Sequence, residues 1–193
     1  TKLPAIIIPN SVTNIGDRAF EECMSLANVT LGAGVITIGS NSFRACTNLT
    51  SIVMPERVAN IGNRAFSYCF GLSNIYFRGN APVAGSDVFF LSTNLTVYYL
   101  PGALGWPAVP GLWPEGTDGR PTAYWLPKVM AQDIGVQDDQ FGFNVDWTEG
   151  QTVVVEACTN LASPVWIPLA TNTLGDTANF FGDSLWTNYP GRF

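Results

Sequence analysis

Phe20, Phe43, Phe66 and Phe89 follow one another at a constant interval of 23 residues, and Leu26, Leu49, Leu72 and Leu95 keep the same interval. A fixed period of this length narrows the choice of fold sharply, because one such unit cannot bury its own apolar face and must stack on its copies. Other columns hold the register: Ile15, Ile38, Ile61 and Ala84; Gly16, Gly39, Gly62 and Gly85; Cys23, Cys46, Cys69 and Ser92. After each glycine comes Asp17, Ser40, Asn63 or Ser86, four residues that share the ability to accept hydrogen bonds from the free N–H groups of a helix start. Each unit therefore reads as a strand, a glycine turn and one short helical turn running from the cap to the cysteine.

Strands are expected at Ile6–Ile8, Val29–Leu31, Ile52–Met54, Ile75–Phe77 and Tyr98–Leu100. Side chains alternate across a strand, so Ile6, Ile8, Val29, Leu31, Ile52, Met54, Ile75 and Phe77 point into the core. Ile7, Thr30, Val53, Tyr76 and Tyr99 then form the outward column. The fourth unit, "GNAPVAGSDVFFLSTNL", loses the cysteine and two aliphatics, as a solenoid does near its end.

From residue 98 to 127 the repeat gives way to "YYLPGALGWPAVPGLWPEGTDGRPTAYWLP", which reads as a cap over the open core with Trp106, Trp113 and Trp125 as anchors. A polar connector follows at Lys128–Gln140. Beyond it "FGFNVDW", "QTVVVEAC", "VWIPLAT" and "NFF" have strand character and are separated by turn residues, which suits a small antiparallel β-sandwich. Three parts result: a solenoid over 1–101, a cap and connector over 102–130, and a β-sandwich over 131–193.

Composition agrees with strands and turns: 12% of the 193 residues are charged, with Gly 19 and Pro 13. The net charge is −6 and uneven. Residues 1–100 carry six Lys/Arg against five Asp/Glu, and residues 101–193 three against ten, as expected of two different modules. Nucleic acid is disfavoured as a partner, since no basic stripe is present to neutralise phosphates. No apolar run is long enough for a membrane-spanning helix. The chain has no initiator Met at Thr1, so a leader upstream is left open.

Histidine is absent, which removes Ser–His–Asp and Cys–His catalysis and His-ligated zinc. In "IGDRAFEECMSL" (15–26), three carboxylates, an arginine and a thiol crowd together like an active site. Set against its copies, Glu21 and Glu22 become Arg44 and Ala45, then Ser67 and Tyr68, so these positions are solvent-facing while Cys23 is a core rung. A column of thiols lacks the converging C-x2-C spacing of zinc, and buried structural thiols are expected. Cys158 stands apart. "GDSL" at 182–185 matches a short lipase signature but has no histidine to serve it. Glu56, Asp87 and the cluster Asp133, Asp138 and Asp139 are the carboxylates to consider for sugar hydrolysis, which needs only an acidic pair. The cluster lacks a calcium-loop spacing. Sequons at Asn28, Asn48 and Asn94 read as by-products of the repeat.

The units "IPNSVTNIGDRAFEECMSL", "LGAGVITIGSNSFRACTNL" and "MPERVANIGNRAFSYCFGL" resemble the BspA-like class of bacterial leucine-rich repeats. The resemblance implies a leucine-rich-repeat solenoid with a parallel sheet and short helical turns, located outside the cell or on its surface, binding macromolecules without catalytic residues or cofactors. "VVVEACTNLASPVWIPLATNTL" and "WTNYPGRF" resemble a C-terminal β-module of secreted proteins from environmental bacteria. The expected function is non-catalytic binding or adhesion to a glycan or protein through the outward column, with Tyr76 and Tyr99 as the aromatic site and Thr30 and Val53 beside them. The alternative is a glycoside hydrolase-like enzyme using an Asp/Glu pair. No metal site is expected, and the first strand leaves an N-terminal edge at which two copies could associate.

Overall fold

The computed structural model describes residues 3–114, 116, 118–129, 134–137, 140–147, 151–157, 167–175 and 179–183. The chain divides into two compact units, Thr1–Trp125 and Leu126–Phe193. In the first, longer and shorter strands alternate: β1 (Ala5–Ile7), β2 (Asn14–Ile15), β3 (Asn28–Thr30), β4 (Thr37–Ile38), β5 (Ser51–Met54), β6 (Asn60–Ile61), β7 (Asn74–Phe77), β8 (Val83–Ala84) and β9 (Thr96–Tyr99). They wind into a β-solenoid of about five coils. The odd-numbered strands form the front, where β1 pairs with β3, β5 with β7 and β7 with β9. The back is a four-stranded parallel sheet, β2-β4-β6-β8.

Between the sheets lies the core that the period predicts. Leu26, Leu49, Leu72, Phe43, Phe66 and Phe89 are fully buried, and Phe20, Phe43 and Phe66 stack at 5.2 and 5.3 Å. Ile52 stands opposite Ile75, so the 23-residue interval is also the strand register.

The expected helical turn from the cap to the cysteine does not form. No helix occurs among the described residues, and this segment is a chain of tight turns. The reason lies in its hydrogen bonds. A helix satisfies its N–H groups internally, four residues back, but here alternate N–H groups reach the next coil: Arg18 to Ser40 O, Phe20 to Ser42 O and Glu22 to Arg44 O, at 2.7–2.9 Å. The intervening Ala19, Glu21 and Cys23 N–H groups bond three residues back and close β-turns instead. Arg18 and Glu22 take positive φ, 57° each, and their counterparts in the following coils do the same.

The acceptor column changes meaning accordingly. Asp17 Oδ1 accepts from the Ser40 N–H at 2.7 Å and Asn63 Oδ1 from the Ser86 N–H at 2.9 Å, so each caps the coil after its own. The glycines are explained by the same closeness. A Cβ on Gly39 would lie 2.6 Å from the Asp17 backbone nitrogen, and one on Gly62 2.5 Å from that of Ser40. Gly16, in the first coil, has nothing within 4 Å of the equivalent point.

The cap contributes β10 (Leu112–Trp113) and β11 (Arg120–Tyr124), which continue the front sheet in the order β5-β7-β9-β11-β10. Trp106 and Trp113 close the core as expected, with Trp106 stacked on Tyr99 at 4.9 Å and Trp113 edge-on to Phe77 at 5.3 Å. On the turn side, Asp118 and Arg120 stand in for a further coil. Asp118 Oδ2 accepts from the Phe89 N–H at 2.6 Å, and Arg120 donates to Phe89 O at 2.6 Å and to Ser92 O at 2.9 Å. The two side chains pair at 3.1 Å and are largely buried.

The second unit is antiparallel. β14 (Gln140–Asp146) is flanked on one edge by β12 (Lys128–Val129) and β13 (Gly135–Gln137) and on the other by β17 (Asn179–Asp183). β15 (Thr152–Ala157) pairs with β16 (Ile167–Thr173). Val145, Leu174 and Phe181 form a small core, packed by Val153, Val155 and Ala170.

Candidate functional site

The outer face of the front sheet carries the outward column. Ile7 is 75% exposed, Thr30 is exposed and Val53 is 37% exposed, as the alternation requires. Tyr76 is outward and partly exposed. Tyr99 is not: it is 3% exposed and buried under the cap, its hydroxyl donating to Pro107 O at 2.7 Å. The outward place belongs to Tyr98, which stands opposite Tyr76, while Tyr99 stands opposite Phe77. The cause is one missing residue. From the core leucine to the next core aliphatic there are three positions in Leu26–Val29, Leu49–Ile52 and Leu72–Ile75, but two in Leu95–Val97. The last interval is thus 22 residues, and a shift of one exchanges the two faces of a strand.

Tyr76 and Tyr98 stack at 5.0 Å with an interplanar angle of 21°. Trp125 comes within 4.8 Å of Tyr76. It lies just past the end of β11, whose Ala123 is paired with Tyr98 on the outer face, and so serves this face rather than the core. Three adjoining rings thus stand on a sheet whose lower coils offer Val53, Thr30 and Ile7. Burial, with Tyr98 alongside, holds the Tyr76 phenol above its ordinary pKa. Burial does the same for Tyr99, with Tyr124 beside it.

The other candidates are structural. Cys46 and Cys69 donate to Phe20 O and Phe43 O at 3.2 and 3.0 Å, and the Ser92 hydroxyl makes the same bond to Phe66 O at 2.8 Å. A serine in the thiol's place shows that the column's task is to donate to a phenylalanine carbonyl one coil back. Burial and the neighbouring thiol push Cys46 and Cys69 up to about 12, far from the thiolate that a nucleophile or metal ligand needs. Cys23, Cys46 and Cys69 form no disulfide.

Glu21 and Glu22 are held by Arg44 at 3.0 and 3.4 Å, and the Arg44 guanidinium lies 5.1 Å above the Tyr68 ring. Glu21 and Arg44 are only about a quarter to a third exposed, so the reactive-looking cluster is a rung-to-rung ladder rather than a set of freely solvated charges. Asp87 is paired with Arg64 at 3.1 Å, and Glu56 is exposed. Gly182 and Asp183 of the lipase-like tetrapeptide are strand residues of β17. Asp133, Asp138, Asp139, Cys158 and Ser184 lie outside the described residues. Among the described residues there is no cluster of three Cys, Asp or Glu that could hold a metal ion, and no helix long and apolar enough to cross a membrane.

A family model described as "BspA type Leucine rich repeat region" matches residues 1–104 in six copies, more than half of the chain. The chain belongs to the BspA-type leucine-rich repeat family. Two solved structures are similar to it. A leucine-rich repeat protein from Bacteroides ovatus is 35% identical over 50% of this chain and 25% of that one, with a TM-score of 0.45. The leucine-rich repeat protein of T. pallidum is 24% identical over 51% of this chain and 59% of that one, with a TM-score of 0.43. The chain thus spans about a quarter of the first protein's length and less than two thirds of the second's. No curated protein matches.

Proposed function

We propose that this BspA-type chain is a non-catalytic binding module, acting outside the cell or at its surface, that presents the outer face of its front sheet to a macromolecule. The observation that carries the reading is the run of rings on that face: Tyr76 stacked on Tyr98, with Trp125 against Tyr76. Each ring offers apolar area at small entropic cost, and tyrosine and tryptophan keep a polar tip for a hydrogen bond, the combination that makes them binding anchors. Val53 and Thr30 extend the surface down the column, so that a polysaccharide strand or a protein edge would be read over several coils. Two features support a scaffold rather than a hydrolase: the described carboxylates of the solenoid are held by arginines or, for Asp17, by a backbone N–H, or stand alone, and its three buried cysteines serve the core.

Glycan and protein arrays probed with the intact chain test the proposal. A ligand found there should lose at least tenfold in affinity for the Tyr76→Ser, Tyr98→Ser double variant while Tyr99→Phe, an interior change, leaves binding intact. Undiminished binding by the double variant would reject the site. Reducing sugar released from a polysaccharide, and lost on changing a single Asp or Glu to its amide, would replace the binding reading with an enzymatic one.

A further inference from the structure

The back sheet ends at β8, and its last edge differs from every edge before it. Val83 and Gly85 donate to Ala59 O and Ile61 O at 2.9 and 2.8 Å. One coil on, the equivalent acceptors are Pro82 O and Ala84 O, and in a parallel ladder the Ala84 N–H lies between them. Among the described residues no strand pairs with this side of β8. The cap chain follows the coil only to Ala81, whose N–H donates to Leu104 O at 2.9 Å. Past Gly105, which has φ +79°, it diverges, and a cleft of about 440 Å³ opens between Ala81, Pro82 and Ala84 on one wall and Trp106, Trp113 and Pro114 on the other.

The sequence makes this space. Two core columns run Val12, Val35, Val58 and Ile15, Ile38, Ile61, then drop to Ala81 and Ala84 in the last coil alone. Val35, Val58, Ile38 and Ile61 are buried by the coils above and below them. At the alanines the missing methyl groups leave open space, into which the cap reaches only with Gly105 beside Ala81.

We propose that this cleft is a strand-docking site, which takes an extended peptide segment of a partner protein as a fifth strand of the back sheet. Its backbone would bond to Pro82 O, the Ala84 N–H and Ala84 O, and an aliphatic side chain would fill the space over Ala81 and Ala84 against the wall that Trp106 and Trp113, 5.0 Å apart, form together. No charged side chain lines the cleft, so the seated residues are uncharged. A whole second solenoid is a poor occupant, because its front strand would need the place already held by β11 and β10. A single strand carried on a flexible arm meets no such obstacle.

The test uses the intact chain and a labelled, end-blocked peptide copying residues 58–63, Val-Ala-Asn-Ile-Gly-Asn, which carries both missing aliphatics at the spacing of a coil. Saturable binding is expected by fluorescence anisotropy, with slowed amide exchange at Ala84 and no binding by the same peptide bearing Asp in place of Val and Ile. Ala84→Ile with Ala81→Val restores the two columns in a void and should weaken binding at least tenfold with the melting temperature kept. Absence of binding, or binding that survives the filled cleft, would overturn the proposal. So would an Ala84 amide already protected in the free chain, which would assign the edge to a segment of the same molecule. A mass in light scattering that rises with concentration and falls in the filled variant would assign it to a second copy.

Discussion

An interior coil and the last coil carry nearly the same residues but are held in different ways. The Phe43 coil is satisfied by copies of itself on both sides: its N–H groups find the carbonyls of the next coil, and Phe43 O receives the Cys69 thiol. The Phe89 coil has no further copy. On the turn side Asp118 supplies the missing acceptor and Arg120 the missing donors, and on the front side β11 supplies a strand. On the back nothing described takes the edge. The difference teaches that ending a solenoid requires three separate solutions, one for each side of the coil, and that the described residues provide two of them.

The largest effect is expected inside the stack. Phe43→Ala removes a fully buried ring with stacking partners above and below, and chemical denaturation should show a loss of about 3–5 kcal/mol. A loss below that range would mean that interior coils relax more readily than their close packing implies.

Arg120→Ala breaks the end instead. It leaves Ser92 O without its donor, takes one of two donors from Phe89 O, and strips the buried Asp118 carboxylate of its cation, for about 3 kcal/mol. Amide exchange should quicken in the Phe89 coil far more than in the Phe43 coil. Uniform quickening would contradict the view that the end is closed locally.

The smallest effect sharpens the equivalence of the coils. Cys69→Ser makes the third rung a copy of the fourth, where Ser92 already serves, and stability should change by no more than about 1 kcal/mol. Alkaline pH then separates the two residue types. Cys46 and Cys69 titrate near 12 in the folded chain against 9.0 for an ordinary thiol. Because the folded value is the raised one, the unfolded thiols ionise first. Their contribution is complete below about pH 9 and is lost as pH rises toward 12. Melting curves from pH 8 to 11 should fall less steeply for a Cys46→Ser, Cys69→Ser variant.

The period alone made most of the first unit legible. Phe43, Leu49 and Cys46 could be placed in the core, and Ile7, Thr30, Val53 and Tyr76 outside it, because a repeat turns one chain into its own alignment. Two readings failed for physical reasons. Asp17 and Asn63 have the acceptor that starts a helix, but the same oxygen serves a neighbouring coil equally well, and local sequence does not say which N–H will arrive. Tyr99 was placed outside by counting 23 residues from Tyr76, although the shortened Leu95–Val97 interval carried the correction. Trp125 was harder to place, since its position depends on β11 joining the sheet through a cap that repeats nothing. The antiparallel second unit shows its strands in outline, but the family match ends at residue 104.

The acceptor side chains that reach across to the following coil have a consequence for how the protein can vary. Since Asp17 and Asn63 each secure the backbone that comes after them, a coil brings with it the means of attaching its successor. Length is then independent of stability at such a junction, and a copy of residues 55–77, which carries Asn63, spliced in before Arg78 would lengthen the solenoid without any other change to its sequence. Gene duplication acting on such a chain adds binding surface in whole increments, and the cap needs to be invented only once.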